Sequence, residues 1–449
     1  MPDERGAHAE AARAREGLLL SRQQSAACTD QLLSATLRDA VAHARDGRRR
    51  LDAIDAEIRE ALGDQPALDT PAGARQFQLF LAAKTRDIRR VVAAAVADDR
   101  TRTALLGPLA AGYHGVPAAV RDRVNRQLLA DDIDRVENAT KAISATDIIR
   151  YHNALRVRDG LRANCADGPV LLITYDPAAF GGRGRAAIAI GDPDTADNTT
   201  VLVPGAHSSV RDGYLSHPDG VNVYREVVRA DPARSNSVIL WMGYRAPDSF
   251  FDPSVAQPDS ARSGGRLLAA EVSALRAAHR GATHITVIGH SYGSTTVADA
   301  AAGFGMRADD VVLVGSPGTD LARSAKDFHL PATGHVYVGA ASSDPITGFA
   351  GEPQVPVPGT AATVGLGRDP ADDGYGSTRF KAETPGLSWP MAGHSSYFAL
   401  GTESLFSIGD IASGHGDALA HDHMTAPHRR RLPAFDPERL RLGTGGHRH

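Results

Sequence analysis

The pentapeptide Gly289-His290-Ser291-Tyr292-Gly293 holds the residue types that most directly suggest chemistry. It follows a short apolar run, Ile285 to Ile288, and precedes a stretch with helical character, Ser294 to Phe304. A G-x-S-x-G pattern at a strand-to-helix turn exposes the serine hydroxyl, because the small glycines allow a strained backbone. The pattern predicts Ser291 as a nucleophile and the Tyr292 N–H as one oxyanion donor. A Gly-Ser turn without chemistry is the alternative interpretation.

A serine hydroxyl becomes a good nucleophile only beside a base that an acid orients. On a strand-to-helix turn of this kind, the acid and the histidine follow the serine along the chain in that order. His394, the only histidine between Asp344 and the C-terminal tail, is the predicted base. Asp344, in the loop after a strand-like run, is the predicted acid, and Asp320 is a competitor. Asp309 and Asp310 are weaker competitors, since they precede a predicted strand at the wrong edge of the sheet.

A second oxyanion donor is expected in the loop that follows the third strand of such a fold. The run Val201 to Val203 is followed by Pro204-Gly205-Ala206-His207. Gly205 allows the backbone to approach a substrate oxygen closely. The N–H of Ala206 or of His207 is the predicted donor, and the sequence does not decide between them.

The elements that must position these residues appear after Gly168, where short apolar runs alternate with helical stretches. Continuously apolar runs of this length are typical of strands buried on both faces of a parallel sheet. The runs are Val170 to Thr174, Ala186 to Ile190, Val201 to Val203, Val238 to Trp241, Ile285 to Ile288, Val311 to Val314, and His335 to Val338. Their order predicts a doubly wound, mostly parallel α/β sheet. The Gly- and Pro-rich segment Gly348 to Gly393 is predicted to be a functional loop or lid.

The chain before this sheet has helical periodicity from about Ala9 to Ala163. Thr70-Pro71 is typical of a helix start, and apolar stripes along the helices are predicted to be core. We therefore expect a helical region over residues 1–165, a catalytic domain over 166–414, and a flexible tail over 415–449 that is rich in His and Arg. The helical region is a candidate surface for a protein partner or for self-association.

Composition excludes several classes of protein. A net charge of −4 over 449 residues does not favour a nucleic-acid partner. Two cysteines exclude a disulfide scaffold and a four-thiolate zinc site, and no metal site is predicted. No apolar stretch approaches the roughly 20 residues of a membrane span, and the N-terminus does not resemble a signal peptide. The expected location is the cytoplasm, with export by a route that reads no cleaved signal left open.

Several motifs together resemble an actinobacterial α/β-hydrolase family of unknown function. The motifs are Val203-Pro204-Gly205, Trp241 to Pro247, Gly289 to Ser294, Gly315 to Gly318, Gly367 to Pro370, Gly374 to Gly376, and His394 to Tyr397. The resemblance covers roughly Val170 to Gly409 and implies an α/β-hydrolase fold with a serine nucleophile. Carried over by position, it supports Ser291, Asp344 and His394. The helical first half is similar to the leaders that many members carry.

The residues and the resemblance together predict a serine hydrolase that cleaves an ester through a Ser-His-Asp triad and an acyl-enzyme. Such an enzyme is carboxylesterase- or lipase-like, acts on a small-molecule acyl substrate and needs no metal or organic cofactor. Amide and thioester substrates stay open, and substrate-binding residues are unassigned. The alternative is a non-catalytic binding or interaction protein of the same fold, with a helical half that docks a partner.

Overall fold

The structure is a computed structural model that describes residues 42–43, 45–63, 70–110, 116–140, 142–165, 168–249, 253–351, 355–356, 363–383 and 390–429. The chain divides into two compact units, residues 1–110 and 111–449. The N-terminal residues before 42, parts of the predicted lid, and the His- and Arg-rich residues 430–449 lie outside the described part. Among the described residues, no helix combines the length and the apolar character needed to cross a membrane.

The first unit contains, as far as it is described, helix α1 (residues 45–63) and helix α2 (Pro71–Ala110). The predicted start of α2 is confirmed, because the Thr70 hydroxyl accepts the Gly73 N–H at 3.1 Å. The predicted core stripe is buried only in part in this unit. Ile54 is buried, but other apolar side chains of the stripe are exposed: Leu51, Leu62, Ile88 and Val92. A helix face is buried only where a neighbouring element covers it, so the predicted partner or self-association stays a prediction.

Helices α3 (Ala118–Glu137) and α4 (Ala145–Ala163) belong to the second unit. α4 begins with a capping box, in which the Ser144 hydroxyl accepts the Asp147 N–H at 3.1 Å and the Asp147 carboxylate accepts the Ser144 N–H at 3.0 Å. Both helices pack against strand β1 (Val170–Asp176). The change from helices to strands near residue 165 is therefore not the edge of a compact unit, and the domain boundaries at 165 and 414 stay predictions.

The other elements of the second unit follow in chain order, as far as the structure describes them. The strands are β2 (Arg185–Ile190), β3 (Asn198–Val203), β4 (Asn236–Met242), β5 (His284–His290), β6 (Asp310–Val314), β7 (Val336–Gly339), β8 (Val355–Pro356), β9 (Thr363–Val364) and β10 (Thr378–Phe380). The helices are α5 (Ala179–Gly182), α6 (Asp219–Ala230), α7 (Asp259–Ala278), α8 (Tyr292–Phe304), α9 (Pro390–Ser395), α10 (Glu403–Ala412) and α11 (Ala418–His421). Each predicted apolar run overlaps one of these strands, and the ends of the run and of the strand differ by a few residues at most.

Eight of these strands form one sheet in the order β1-β2-β4-β3-β5-β6-β7-β10. Neighbours from β4 to β10 run parallel, whereas β2 is antiparallel to both β1 and β4. The prediction of a doubly wound, mostly parallel α/β sheet is confirmed. Because parallel strands end at the same edge, the loops after β3, β5, β6 and β7 meet there. Those loops carry most of the predicted site residues.

The core lies on both faces of this sheet. In β3, Val201 and Val203 pack in the cluster that contains α7 and α8, while Leu202 between them packs in the cluster that contains α6 and α10. Side chains along a strand alternate between the two faces, so every second residue serves the same layer. A strand buried on both sides explains why its sequence is continuously apolar.

The first part of the predicted flexible tail is ordered against the sheet. Residue Thr425 forms an antiparallel bridge with Phe380 of β10, and Met424 is buried. The Lys381 N–H donates to the Met424 carbonyl at 2.8 Å, and the Ala426 N–H donates to the Arg379 carbonyl at 3.0 Å. The prediction of a flexible tail is therefore wrong for residues 415–429, because the outer edge of β10 offers backbone groups for pairing.

A buried ion pair ties α3 to the sheet layer. The Arg121 guanidinium donates to Glu271 of α7 at 2.7 Å and to the Ile173 carbonyl of β1 at 2.8 Å. Both charged side chains are less than a tenth exposed. Arg185 lies 3.9 Å from the other carboxylate oxygen of Glu271 and neutralises it only weakly.

We expect Arg121→Ala to lower the free energy of unfolding of the second unit by about 3 kcal/mol, because Glu271 would lose its main partner while still buried. Urea unfolding followed by tryptophan fluorescence measures this, since both tryptophans, Trp241 and Trp389, lie in residues 111–449. The control is Arg126→Ala on the same helix, where a half-exposed pair with Asp122 predicts a change within about 1 kcal/mol. Equal effects of the two variants would contradict the role of the buried pair.

Candidate active site

Ser291 lies at the sharp turn between β5 and α8. Its backbone has φ 55° and ψ −131°, a strained conformation for a residue other than glycine. The turn is held by the Ser291 N–H, which donates to the Val314 carbonyl at 2.9 Å, and by the Ser294 hydroxyl, which donates to the Ser291 carbonyl at 2.6 Å. A Cβ at Gly293 would lie 2.3 Å from the Val203 carbonyl oxygen, so the motif needs glycine there. The sequence pattern thus produces the turn that it predicts.

The structure brings Asp344 and His394 together. Asp344 follows β7, and His394 lies in α9, close to the end of that short helix. The Nδ1 atom of His394 is 2.9 Å from Oδ2 and 3.0 Å from Oδ1 of Asp344. Both side chains are almost fully buried. A carboxylate on Nδ1 sets the imidazole tautomer that leaves Nε2 able to accept a proton.

Asp320, the competitor for the role of acid, forms an ion pair with Arg262 instead of contacting His394. Its carboxylate accepts two hydrogen bonds from Arg262 of α7, at 2.6 and 3.0 Å. It also lies near the buried Asp299 of α8, and burial together with the charge of Asp320 raises the pKa of Asp299 to about 8. Asp309 likewise pairs with Arg276, before the start of β6. These contacts leave Asp344 as the carboxylate that faces His394.

Three donors surround the carboxylate of Asp344. Besides His394, the Tyr397 hydroxyl donates to Oδ2 at 2.7 Å and the Ile346 N–H donates to Oδ1 at 2.9 Å. Burial alone would raise the pKa of Asp344, but the hydrogen bonds outweigh it and hold that pKa below its usual value. The carboxyl group is therefore ionised at neutral pH.

Tyr397 is a site residue that the residue-by-residue reasoning missed. Besides donating to Asp344, its hydroxyl accepts the Ala341 N–H at 3.1 Å, so it ties the loop after β7 to the segment after α9. The signal for it was its place three residues after His394, in a motif that the family resemblance already included.

His290, the residue before Ser291, packs against the predicted base His394. Its Nε2 is 2.8 Å from the His394 carbonyl oxygen, which requires a proton on that nitrogen. The two imidazole rings are 4.7 Å apart between centroids, and the Phe398 ring contacts His290 edge-on. Desolvation lowers the pKa of His290 to about 4, and the nearby His394 adds to this effect. His290 is neutral at pH 7 and supports the backbone of His394.

The loop after β3 approaches Ser291 closely. A Cβ on Gly205 would lie 2.5 Å from the Ser291 Cβ and 2.9 Å from its Oγ, so the backbone at Gly205 passes directly beside the hydroxyl. The His207 N–H donates to the Pro247 carbonyl at 3.0 Å and is therefore not available as an oxyanion donor. Of the two predicted candidates, Ala206 remains. The Tyr244 hydroxyl donates to the Pro204 carbonyl at 2.6 Å and fixes this loop.

The side chain of Tyr292 points away from this loop into the protein. Its hydroxyl donates to the Gln257 carbonyl at 2.5 Å and accepts the Ala261 N–H at 3.1 Å, at the start of α7. The side chain therefore anchors the turn to α7. Its backbone N–H, the predicted donor, is at the first position of α8, where helix N–H groups have no partner within the helix.

A cavity of about 270 Å³ opens beside Ser291. Its lining combines the candidate residues with apolar and aromatic side chains: Leu202, Val203, Tyr214, Phe398, Ala206, His207, His290, Ser291 and His394. His217 and Asp219 also line it and are joined by a 3.0 Å contact, which the sequence did not indicate. The described residues of the predicted lid between 348 and 383 are not part of the lining. Within the described part of the chain, no three His, Cys, Asp or Glu side chains are grouped as metal ligands.

A family profile described as "Alpha/beta hydrolase" matches residues 176–353. Residues 176–353 therefore form an α/β-hydrolase domain, and the resemblance found in the sequence is confirmed. A second profile, described as "Domain of unknown function (DUF4226)", matches residues 5–117, in the helical first half of the chain.

Curated relatives of this chain include mycobacterial proteins. "Uncharacterized protein Rv2079" of Mycobacterium tuberculosis (strain ATCC 25618 / H37Rv) is 47% identical over 356 residues, which are 70% of this chain and 53% of that protein. "Uncharacterized protein MT0028" of Mycobacterium tuberculosis (strain CDC 1551 / Oshkosh) is 44% identical over 115 residues, which are 25% of this chain and 96% of that protein. The chain spans about half the length of the first curated relatives that it matches.

Solved structures similar to this chain include two esterases. A hyperthermophilic esterase from the archaeon Pyrobaculum calidifontis is 15% identical with a TM-score of 0.32, and the match covers 67% of this chain and 99% of that chain. Carboxyl esterase 2 from the fungus Tuber melanosporum is 12% identical with a TM-score of 0.34, covering 57% and 89%. Overlaps with TM-scores this low say nothing about substrate or mechanism.

The close approach at Gly205 leads to a prediction for reactivity. We expect Gly205→Ala to slow labelling of Ser291 by a fluorophosphonate at least 100-fold, because the new methyl group would occupy the space beside the hydroxyl and displace the loop that carries the predicted oxyanion donor Ala206. Labelling rates on protein shown to be folded by circular dichroism test this. Gly281→Ala, whose Cβ would meet nothing closer than 3.8 Å, is the control and should label like wild type. Fast labelling of Gly205→Ala would contradict the placement of this loop.

The low pKa of His290 leads to a prediction for stability. A histidine in the unfolded chain titrates near pH 6.5, so between about pH 6.5 and pH 4 the unfolded state binds more protons than the folded state. Stability therefore falls as the pH falls through this window, by about 3 kcal/mol from this residue. We expect His290→Asn to lack this part of the acid sensitivity. Urea unfolding at pH 7.5 and pH 4 should show a smaller loss for the variant, and identical losses would show that His290 is not buried in its neutral form.

Proposed function

We propose that this protein is a serine hydrolase that cleaves carboxylic esters through an acyl-enzyme. The observation that carries the proposal is the buried Asp344–His394 pair at the same sheet edge as Ser291, which stands on a strained turn beside a cavity. A buried carboxylate on the Nδ1 of a histidine, with a serine that lines the same cavity, is the arrangement that activates a hydroxyl for acyl transfer. The match of residues 176–353 to the α/β-hydrolase profile supports hydrolysis in general.

The proposed reaction has two halves. The Ser291 Oγ attacks the ester carbonyl carbon while the Nε2 of His394 takes its proton, and the Tyr292 and Ala206 N–H groups stabilise the oxyanion. His394 then gives the proton to the leaving alcohol, which departs as the C–O bond breaks. A water molecule, deprotonated by His394, attacks the acyl-enzyme and releases the acid, with Ser291 regaining its proton.

The ionised state of Asp344 matters in both halves. Imidazolium forms twice in this scheme, and a negative charge at 2.9 Å from Nδ1 stabilises it each time. The hydrogen bonds that lower the pKa of Asp344 keep this charge present at neutral pH. A protonated Asp344 would instead orient the imidazole without stabilising its positive form.

The size of the cavity favours short acyl groups. Pockets for drug-sized ligands span about 300–1,000 Å³, so a cavity of about 270 Å³ lies below that range. Leu202 and Phe398 supply an apolar surface, while His217 and Asp219 supply a polar one. We propose a small ester with a short acyl chain as the substrate class.

The nucleophile is tested by Ser291→Ala. We expect fluorophosphonate labelling to vanish and ester hydrolysis to fall by roughly 10⁴-fold or more, because the residual rate comes only from binding and the oxyanion donors. Ser273→Ala is the control, since the Ser273 hydroxyl donates to the Ala269 carbonyl within α7 at 2.8 Å and lies outside the cavity lining. Labelling of Ser291→Ala at the wild-type rate would show that another residue is the nucleophile. A folded wild type that neither labels nor hydrolyses would favour the non-catalytic alternative.

The same assay, run with p-nitrophenyl esters of increasing acyl length, tests the substrate class. We expect kcat/KM to be highest for acetyl to hexanoyl chains and to fall for longer ones, because a long chain exceeds the volume of the cavity. Matched amides and thioesters, compared between wild type and Ser291→Ala, decide which acyl bond is cleaved. A preference for long chains would contradict the proposed substrate class without affecting the assignment of Ser291.

A further inference from the structure

The segment of residues 424–429, here called the C-terminal segment, continues the sheet beyond its edge strand β10. Its bridge between Thr425 and Phe380 is reinforced by the Arg379 side chain, which donates to the Ala426 carbonyl at 3.2 Å and also to the Pro427 carbonyl. The guanidinium of Arg379 is fixed in turn by the Asp373 carboxylate at 2.8 Å. This pairing fixes the position of the last residue of the segment, Arg429.

That last residue, Arg429, has its charged side chain buried. Its Nε donates to Oδ2 of Asp369 at 3.1 Å, and its Nη2 donates to the Thr347 carbonyl at 3.0 Å. The side chains of Arg429 and Asp369 are 7% and 3% exposed. Asp369 is itself oriented by the Ala371 N–H at 2.9 Å. A guanidinium buried this deeply is held in one geometry by partners on two different loops.

One of those loops is the loop that carries Asp344. The Thr347 hydroxyl donates to the Asp344 backbone carbonyl at 2.9 Å, and the Ile346 N–H donates to its carboxylate. Residues Ile346–Phe349 form a single 3-10 turn. Its Thr347 carbonyl accepts the hydrogen bond from Arg429. Arg429 therefore reaches Asp344 through one intervening residue.

We propose that Arg429 is a positioning residue for Asp344. Through the Thr347 carbonyl it holds the turn that presents the Asp344 carboxylate to Nδ1 of His394, while Asp369 holds Arg429. The inference rests on the proposed function, in which Asp344 orients and stabilises His394. It assigns a catalytic contribution to a part of the chain that lies more than thirty residues beyond His394 and outside the cavity lining.

The chemistry of the contacts explains why an arginine stands at this position. The planar guanidinium donates in two directions at once, to a carboxylate and to a carbonyl, which the single nitrogen of a lysine cannot reproduce with the same geometry. Without the guanidinium, the Thr347 carbonyl would keep only the Ala350 N–H at 3.4 Å, and the 3-10 turn would lose its connection to Asp369. A displacement of about 1 Å at a catalytic group costs on the order of 100-fold in rate.

The test uses Arg429→Ala, Arg429→Lys and Asp369→Asn in the full chain. Arg234→Ala is the matched control: Arg234 also pairs with an aspartate, Asp231, but it precedes β4 at the opposite edge of the sheet. The measurements are kcat and KM on a p-nitrophenyl ester, with active sites counted by fluorophosphonate labelling. The low-field proton resonance of His394 Nδ1–H is recorded in parallel and needs no turnover.

We expect Arg429→Ala to lower kcat per labelled site by roughly 10- to 100-fold, with KM unchanged within about twofold. The low-field resonance should weaken or shift. Arg429→Lys and Asp369→Asn should give intermediate values, and Arg234→Ala should match wild type. A merely structural role would reduce the thermal midpoint and the number of labelled sites, but would leave kcat per site and the resonance unchanged, and that result would overturn the proposal.

If Arg429→Ala does not fold, the comparison of Arg429→Lys and Asp369→Asn with wild type decides, since both substitutions nearly preserve volume. Wild-type kcat per site in both would overturn the inference. If instead wild type hydrolyses no ester, the proposed function fails. The His394 resonance still shows whether Arg429 and Asp369 position Asp344.

Discussion

A carboxylate buried as deeply as that of Asp344 is stable in its charged form only where donors replace the water it has lost. Three donors do so, from His394, Tyr397 and the Ile346 N–H. They come from the loop after β7 and from the segment around α9, which are far apart in sequence. The charge therefore acts as a constraint on the fold, because both segments must adopt their positions together for the carboxylate to remain ionised.

The parallel sheet makes that meeting possible. β5, β6 and β7 are neighbours and run in the same direction, so their carboxyl ends place Ser291, the Gly315 region and the Asp344 loop side by side. The strain at Ser291 is tolerated because the turn is tied to the neighbouring strand through the Val314 carbonyl and to α7 through the Tyr292 hydroxyl. Rigid strands and helices thus support a strained turn and a buried charge, which local sequence alone would not hold.

The sequence could predict the features whose cause is local. The two-sided burial of strands produces apolar runs, and the tight turn at Ser291 needs glycines, so both leave a readable pattern. Chain order allowed both Asp344 and Asp320 as the partner of His394, and the structure separates the two carboxylates, because Asp320 is bound by Arg262. Features that depend on a distant partner left no such pattern.

Three examples show this limit. The attachment of α3 to the sheet layer includes the contact between Arg121 and Glu271, which lie 150 residues apart. The order of residues 415–429 depends on the open edge of β10, and a histidine- and arginine-rich composition suggested mobility instead. The engagement of the His207 N–H by Pro247 is a backbone contact between two loops, invisible in side-chain types.

Burial of His290 also matters for His394, because it keeps a second positive charge away from that imidazole. His290 lies 4.7 Å from His394 between ring centroids, and a second positive charge at that distance would oppose the imidazolium of the proposed acyl transfer. Desolvation lowers the pKa of His290 to about 4 and removes that opposition near neutral pH, while its N–H still holds the His394 carbonyl. The same loss of water that requires three donors around Asp344 keeps His290 neutral. Converging donors thus keep the negative charge of Asp344 in spite of burial, whereas burial suppresses the positive charge of His290, because desolvation outweighs the attraction of the Asp219 and Asp344 carboxylates.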